Sequence, residues 1–294
     1  MRKPANKIWI NDQIYPADTP AFTATDRGVL LGDGLFETIK ILDGRPRHFD
    51  DHWARLYASA KYLHLPVPYE KGAVLQGLNA LTQNHGIAEG VARLTLSRGT
   101  GPRGLDLPPH PKPVMMITIA NGLPRYEAAP VLGLSQIRRN ANAVSCHHKT
   151  LSYIDNVAAR LHQKSHQSRK EVVMLDTDGN LASASVANLF WWDEKALFTP
   201  VLGGAVLPGT MRARVLARAQ DLGLKIHEGY YPPTALLAAK GAFMTNALIG
   251  VQLILGLDFG PLGTVRFTTI PPPDFMAPLL STPDGDADKT FPPA

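Results

Sequence analysis

Between Leu35 and Leu63 the hydrophobic pattern changes its period across a single turn, and this limits the chain to folds that mix sheets with helices. The run "LFETIKILDG" is rich in β-forming residues, ends at the turn pair Asp43-Gly44 and resumes at "RPRHF". "DDHWARLYASAKYL" then sets Trp53, Leu56, Tyr57, Ala60 and Leu63 at helical spacing, with Asp50 or Asp51 as the predicted cap. The same alternation recurs along the chain. "KIWIND", "VARLTLSR", "PVMMITIA", "VLGLSQI", "EVVMLDTDG", "ANLFWW", "ALFTP" and "GAFMTNA" read as strands. "KGAVLQGLNALTQNHG", closing at Gly86, together with "SYIDNVAARLHQKSH", "TMRARVLARAQDLG" and "PTALLAAKG", read as helices. "NGLPRYEAAP" has linker composition, which predicts a smaller N-terminal α/β domain over 1–120, a linker over 121–130 and a larger domain over 131–270. The remaining 271–294 are proline-rich and polar, predicted to be poorly ordered at the end. The expected fold class is α/β with mixed sheets in two domains.

Composition narrows the function classes. Apolar residues make up 45% and charged residues 19%, an ordinary soluble globular mix. The excess of 30 basic over 25 acidic residues is mild and scattered, which fits a small anionic substrate better than nucleic acid. A single cysteine, Cys146, excludes an intrachain disulfide framework and favours a reducing compartment. The N-terminus carries no apolar signal region, and the most membrane-like window, Gly241 to Leu257, is broken by Thr245, Asn246 and Gln252. That window reads as buried strand and turn, and the expected location is the cytoplasm.

Several motifs carry chemistry. "GTGPRG", Gly99 to Gly104, matches a dinucleotide-binding pattern, but "LDLPPHPKP" follows where the pattern needs a helix. His162 and His166 share a helix face without a carboxylate or cysteine cluster, so a solvated face outweighs a metal site. Pro208-Gly209 leads at once into a helix, which aims the amides of Thr210 and Met211 outward as a cradle for a phosphate. Lys149 stands behind two histidines and before a helix for which Ser152 is the predicted cap. Positive neighbours favour a neutral amine there, as an imine-forming lysine requires. A phosphate cradle and such a lysine point to pyridoxal phosphate.

In order along the chain, "DRGVLLGDGLFETIKI", "HWARL", "SRGTGPRG", "HKTLSYIDNVAAR", "ANLFWW" with "LFTP", "LPGTMR" and "FMTNALIGV" resemble the class IV, fold-type IV family of pyridoxal-phosphate enzymes. That family includes branched-chain and D-amino-acid aminotransferases and aminodeoxychorismate lyase. The resemblance spans about Ile8 to Leu257. It implies a two-domain fold with the cofactor between the domains, and a homodimer. It implies that Lys149 bonds the cofactor and shuttles protons, that Arg55 clamps the phosphate, and that backbone around Leu207, Thr210, Met211, Asn246 and Ala247 completes the grip. Tyr153 is placed near the phenolic oxygen, and Asn188 fixes the loop beneath the ring. Phe36 and Arg103 fall at substrate-binding positions, Arg103 as a guanidinium fork for a carboxylate.

Departures from the family pattern separate its branches. Five residues before Asn188, relatives carry a glutamate that pairs with the protonated pyridine nitrogen; this chain has Ser183, or Ser185 on a slip in register. A serine favours a neutral nitrogen and a weaker electron sink, which suits elimination better than transamination. Leu105 stands where D-amino-acid aminotransferases have histidine, and Phe36 where they have tyrosine. Met211 and Ala247 replace threonines of the branched-chain enzymes. "SRGTGPRG", "ANLFW", "GTMR" and "NALIGV" are most similar to the lyase branch, which gives 4-aminobenzoate and pyruvate in folate synthesis. The resemblance thus implies a lyase-like β-elimination on a small anionic amino-acid-like substrate, with an aminotransferase on D- or branched-chain amino acids as the alternative.

Overall fold

The computed structural model describes residues 7–124, 130–161, 171–260 and 263–267. The chain divides into two compact units. One holds the residues up to Pro124 together with Lys149–Ser152, and the other holds most of the remainder. The expected His162–His166 pair, part of the linker and the tail from Pro271 lie outside the described residues.

In the first unit, β1 (Lys7–Ile10) and β2 (Gln13–Pro16) form a hairpin, and the short α1 (Arg27–Leu31) precedes β3 (Gly34–Leu42) and β4 (Arg45–Pro46). Helices α2 (Phe49–Tyr62) and α3 (Lys71–His85) follow, then β5 (Gly90–Ser97) and β6 (Val114–Asn121). The strands make one antiparallel sheet in the order β2-β1-β6-β5-β3-β4. Strand alternation sorts β3 cleanly. Leu35, Ile39 and Ile41 join Leu94 and Leu96 of β5 in a core with Leu56 and Ala60 of α2 and Val74, Leu78 and Leu81 of α3. Phe36 and Thr38 therefore belong to the opposite face, and Glu37 to the face the helices cover.

The second unit begins with β7 (Val131–Leu134), α4 (Val144–His147), α5 (Ile154–Leu161), β8 (Val172–Leu175) and β9 (Leu181–Ala184). It continues through β10 (Asn188–Trp192), β11 (Ala196–Pro200), α6 (Thr210–Asp221), β12 (Lys225–Gly229) and a 3-10 turn at Pro233–Ala238. It closes with β13 (Gly241–Asn246), β14 (Gly250–Ile254), β15 (Gly256–Asp258) and β16 (Thr264–Arg266). Two five-stranded mixed sheets result, ordered β12-β11-β10-β13-β14 and β16-β15-β7-β8-β9. Along β10, Leu189 and Trp191 face a core shared with Val173, Leu175 and Leu181 of the other sheet. Phe190 and Trp192 face Val215 and Ala219 of α6. Both faces of β10 are buried, which is why its run from Leu189 to Trp192 is apolar on both.

Several expectations need correction. The cap of α2 is His48 in left-handed backbone, and Asp50 and Asp51 sit in the first turn, where their charge still favours the helix dipole. Helix α5 starts at Ile154, so its flanking residue is Tyr153 rather than Ser152. "PTALLAAKG" closes only as a 3-10 turn, because Pro232-Pro233 starts it and Gly241 already belongs to β13. The membrane-like window is the β13–β14 hairpin, and no helix among the described residues is long and apolar enough to cross a membrane.

Gly77 on α3 is a sensitive test of this packing, since an added Cβ lies 2.6 Å from Cδ1 of the Trp9 indole. Ala for Gly in a helix interior ordinarily gains about 0.5–1 kcal/mol. Here the overlap reverses the sign, and Gly77→Ala is expected to cost about 1–3 kcal/mol. Urea unfolding of the two proteins checks it.

Candidate active site

Lys149 is held by the edge of β3. Phe36 N donates to the Lys149 carbonyl at 2.9 Å and Leu151 N to the Gly34 carbonyl at 2.9 Å, flanking an antiparallel bridge between Leu35 and Thr150. Glycine is needed where this segment docks. A Cβ on Gly34 would lie 2.7 Å from Leu151 Cδ1, and one on Gly32, whose φ is +68°, would strike the Ser152 hydroxyl. The Lys149 amine sits 4.2 Å from the centroid of the Phe36 ring, and Arg93 Cζ lies 3.8 Å from the same centroid. The lysine thus rests on the sheet face away from the helices. Of the neighbouring histidines, His148 is held below its ordinary range by burial first and by His147 second. At neutral pH it is uncharged and adds no positive field, contrary to the expectation from sequence.

Arg55 lies on α2 and is committed to Glu37. Its Nε donates to Oε1 at 2.8 Å and its Nη2 to Oε2 at 2.5 Å, while His52 Nδ1 is 2.7 Å from Oε2. Glu37 is a carboxylate within the helix-covered core, 1% exposed. Burial alone would raise its pKa, but the Arg55 charge and the His52 hydrogen bond outweigh it and bring it down to about 2.

Arg103 lies in the loop after β5, exposed, in a segment whose backbone is gripped by Arg27. Arg27 Nη1 donates to the carbonyls of Gly104 at 3.3 Å and Asp106 at 3.1 Å, and Nη2 to that of Leu105 at 3.3 Å. Asp33 anchors this arginine, accepting at 2.8 Å from Nε of both Arg27 and Arg98. Burial works against the Asp33 carboxylate, yet those two guanidinium groups hold its pKa below the ordinary value.

In the second unit, α6 starts at Thr210 after Gly209, with no side chain capping its first amides. Asn188 of β10 donates through Nδ2 to the Leu207 carbonyl at 3.0 Å, and its Oδ1 fills the space that a Cβ on Gly209 would need. Asn246 turns its Oδ1 to the amides of Leu248 and Ile249 at 2.9 and 3.0 Å, shaping the turn that contains Ala247. Its Nδ2 reaches the Val186 carbonyl at 3.1 Å. Asn156 supports the same loop through the Ser185 carbonyl at 2.6 Å. Tyr153 is half-buried at the head of α5, its carbonyl accepting from Val157 N. Ser183 is buried on β9 and accepts from Arg139 Nη1 at 3.4 Å. Ser185 is also buried, and its hydroxyl has no partner among the described residues.

Each unit carries donor types that suit pyridoxal phosphate: in the first, a primary amine docked on a sheet edge, the chemistry for an aldehyde; in the second, the uncapped start of a twelve-residue helix, the chemistry for a phosphate, and a buried hydroxyl without a partner among the described residues. Among the described residues no His, Cys, Asp or Glu cluster could hold a metal ion. Fold and site together define a pyridoxal-phosphate enzyme with mixed sheets. The chain belongs to the amino-transferase class IV family, whose model matches residues 34–256. It is 30% identical over 250 residues, 83% of this chain and 84% of the relative, to aminodeoxychorismate lyase of Bacillus subtilis strain 168. It is 26% identical over 255 residues, 86% of this chain and 88% of the relative, to D-alanine aminotransferase of Listeria innocua. The crystal structure of 4-amino-4-deoxychorismate lyase from Pseudomonas aeruginosa matches with a TM-score of 0.78 at 26% identity, over 90% of this chain and 94% of that one. A branched-chain aminotransferase from Thermoproteus uzoniensis matches in fold with a TM-score of 0.84 at 21% identity, over 95% and 93% of the two chains. Members of this family depend on pyridoxal phosphate, and so does this enzyme.

Sequence reading missed Glu37, His52, Arg93 and Arg139 as parts of this arrangement. His52 and Arg55 carried a signal, since spacing of three puts both on one helix face opposite the only carboxylate of β3. Arg139 carried none, because its approach to Ser183 is made across the sheet.

Glu37 sets a pH dependence of stability. Its folded pKa of about 2 lies below the ordinary 4.5, so its contribution is present above 4.5 and is lost as pH falls from 4.5 toward 2. Glu37→Gln breaks a buried ion pair and is expected to cost about 3–5 kcal/mol at neutral pH. Denaturant curves for both proteins should draw together as pH falls through that window.

Proposed function

We propose that this enzyme carries out a lyase-like β-elimination on aminodeoxychorismate, releasing 4-aminobenzoate and pyruvate. The observation that carries this reading is the buried Ser183, with Arg139 as its side-chain partner, where relatives have a carboxylate. When bound, the cofactor supplies an electron-withdrawing ring that accommodates negative charge at the substrate α-carbon. Lys149 would hold it covalently, and its Nζ would take the substrate α-proton. The amides of Thr210 and Met211, steadied by the Asn188–Leu207 contact, bind the phosphate at the positive end of α6. Arg55, aligned by Glu37, adds its charge to that grip. Tyr153 faces the phenolic oxygen, and the Asn246-Ala247 turn lends backbone to the phosphate side. Phe36 supports the Lys149 amine by cation–π contact and bounds the substrate pocket. Arg103 binds a substrate carboxylate, its loop held in register by Arg27 through the carbonyls of Gly104, Leu105 and Asp106.

A neutral hydroxyl at the ring nitrogen favours elimination over transamination. In elimination the charge on the α-carbon is discharged as the β-linked group leaves, so a weak sink suffices. Transamination has no such leaving group and would ask more of the sink. The alternative, an aminotransferase acting on D- or branched-chain amino acids, has the 26% identity to D-alanine aminotransferase in its favour. Leu105 and Phe36 count against the first substrate class, Met211 and Ala247 against the second. The small anionic substrate suits a cytoplasmic homodimer.

The deciding experiment incubates the holoenzyme with aminodeoxychorismate, and separately with D- or branched-chain amino acids plus 2-oxoglutarate. Pyruvate in the first and no glutamate in the second supports the lyase; glutamate formation without pyruvate overturns it. Arg103→Gln gives a second test. Loss of a charge-assisted contact of about 1.5–3 kcal/mol lowers kcat/KM roughly ten- to hundred-fold, with cofactor absorbance and melting temperature unchanged. A fall in melting temperature instead returns Arg103 to a structural role.

A further inference from the structure

Arginines placed against carboxylates are a recurring feature of this protein. Arg27 and Arg98 share Asp33, Arg55 has Glu37 and Arg212 has Glu228. Arg139 breaks the pattern. Its backbone is fixed beside β8, with its amide donating to the Leu175 carbonyl at 2.9 Å and its own carbonyl accepting from Thr177 N at 3.1 Å. Its side chain makes a single hydrogen bond, from Nη1 to Ser183 Oγ at 3.4 Å, and its Nε is buried without an acceptor. Two acids of this region accept backbone amides. Asp176, its ladder partner, takes the amides of Asp178 and Asn180 on Oδ1 and the Asn180 side chain on Oδ2. Glu171 takes the amides of Val172 and Ser185 on Oε1. Among the described residues, no carboxylate pairs with Arg139.

We propose that Arg139 is the residue that holds the cofactor's pyridine nitrogen unprotonated, acting through Ser183. The inference rests on the reading that Ser183 meets that nitrogen. Ser183 Oγ accepts from the guanidinium, so its own proton points away and the hydroxyl is a donor to whatever lies beyond. An unprotonated pyridine nitrogen is the acceptor that such a donor requires. A pyridinium N–H would have to take the hydroxyl's second lone pair, leaving the serine proton without the ring as its acceptor, and would bring a second positive charge within about 6 Å of the first across two hydrogen bonds. A like charge at about 4–6 Å shifts a pKa by about 1–3 units against the charged form. A carboxylate at position 183 would reverse the sign, accepting from both the arginine and the ring. Arg139 is thus a positioning and electrostatic residue that makes the cofactor a weak sink.

The test loads the protein with cofactor carrying nitrogen-15 at the ring position and reads its chemical shift, which separates pyridine from pyridinium without any turnover. Wild type is expected to show the unprotonated shift at neutral pH, and Ser183→Glu the protonated one. Arg139→Gln should raise the protonation midpoint by about 1–3 pH units, and Arg139→Lys should restore wild-type behaviour. A pyridinium signal in wild type, or coincident midpoints for wild type and Arg139→Gln, overturns the proposal. If Arg139→Gln does not fold, wild type against Ser183→Glu decides, and identical shifts overturn it. Borohydride trapping separates this from the functional reading. Cofactor on a peptide lacking Lys149 sinks that reading, whereas cofactor on Lys149 with a protonated ring sinks only the role of Arg139.

Discussion

The placement of Lys149 depends on two backbone hydrogen bonds to the edge of β3, from Phe36 N to the Lys149 carbonyl and from Leu151 N to the Gly34 carbonyl. Such bonds contribute only about 0.5–1.5 kcal/mol each, so their importance is geometric. Extended pairing fixes which side chains point to which face, and a slip by one residue would exchange Lys149 with Thr150. Gly32 and Gly34 remove the side chains that would block the approach, and their spacing in "LGDG" follows from what they face, Ser152 and Leu151. A short segment remote in sequence is thereby registered on the sheet as strictly as a strand would be.

The same strand explains the charge arrangement around it. Glu37 occupies a position that alternation assigns to the helix-covered core, between Leu35 and Ile39. A lone carboxylate there would be strongly destabilising, and His52 and Arg55 on α2 offset that cost by hydrogen bonding both oxygens. Because the pair is buried, Arg55 has little rotamer freedom and its guanidinium is set before any ligand arrives. Asp33 works similarly one turn earlier. By pinning Arg27 and Arg98 together, it lets Arg27 reach the carbonyls of the loop that bears Arg103. Ion pairing here fixes direction more than it adds stability.

What could be read from sequence follows the length of the signal. β3, β5, α2, α3, α6 and the β10 run were legible because each repeats its period over several residues or, in β10, is apolar on both faces. The short strands β9, β12, β15 and β16 were missed, since runs this brief carry no distinguishable period and exist through pairing with their neighbours in the sheet. Lys149 could be singled out from motif order, and the start of α6 from Pro208-Gly209. The grouping of Lys149–Ser152 with the N-terminal unit could not, because it is made by backbone pairing with Gly34 and Phe36 and leaves no mark in side-chain type. The corrected caps have a similar origin. His48 takes the left-handed cap of α2 although aspartates stand next to it, since the chain must turn sharply out of β4.

Neutrality around Ser183 is built into the backbone as well as the side chains. Whether Ser183 or Ser185 meets the ring nitrogen, the group presented is a hydroxyl, and both are buried, Ser183 on β9 and Ser185 just beyond its end. Glu171 is bonded to the same loop, and its Oε1 accepts from the amides of Val172 at 3.1 Å and Ser185 at 2.8 Å. Swinging it toward Arg139 would strip the Glu171 contact from the Ser185 amide, leaving only its bond to the Val172 carbonyl at 3.0 Å. Asp176 is equally fixed by its turn. Among the described residues Arg139 has no carboxylate partner, and the backbone contacts made by Glu171 and Asp176 mean that the fold of the loop, as well as the serine at 183, sets the charge at this point.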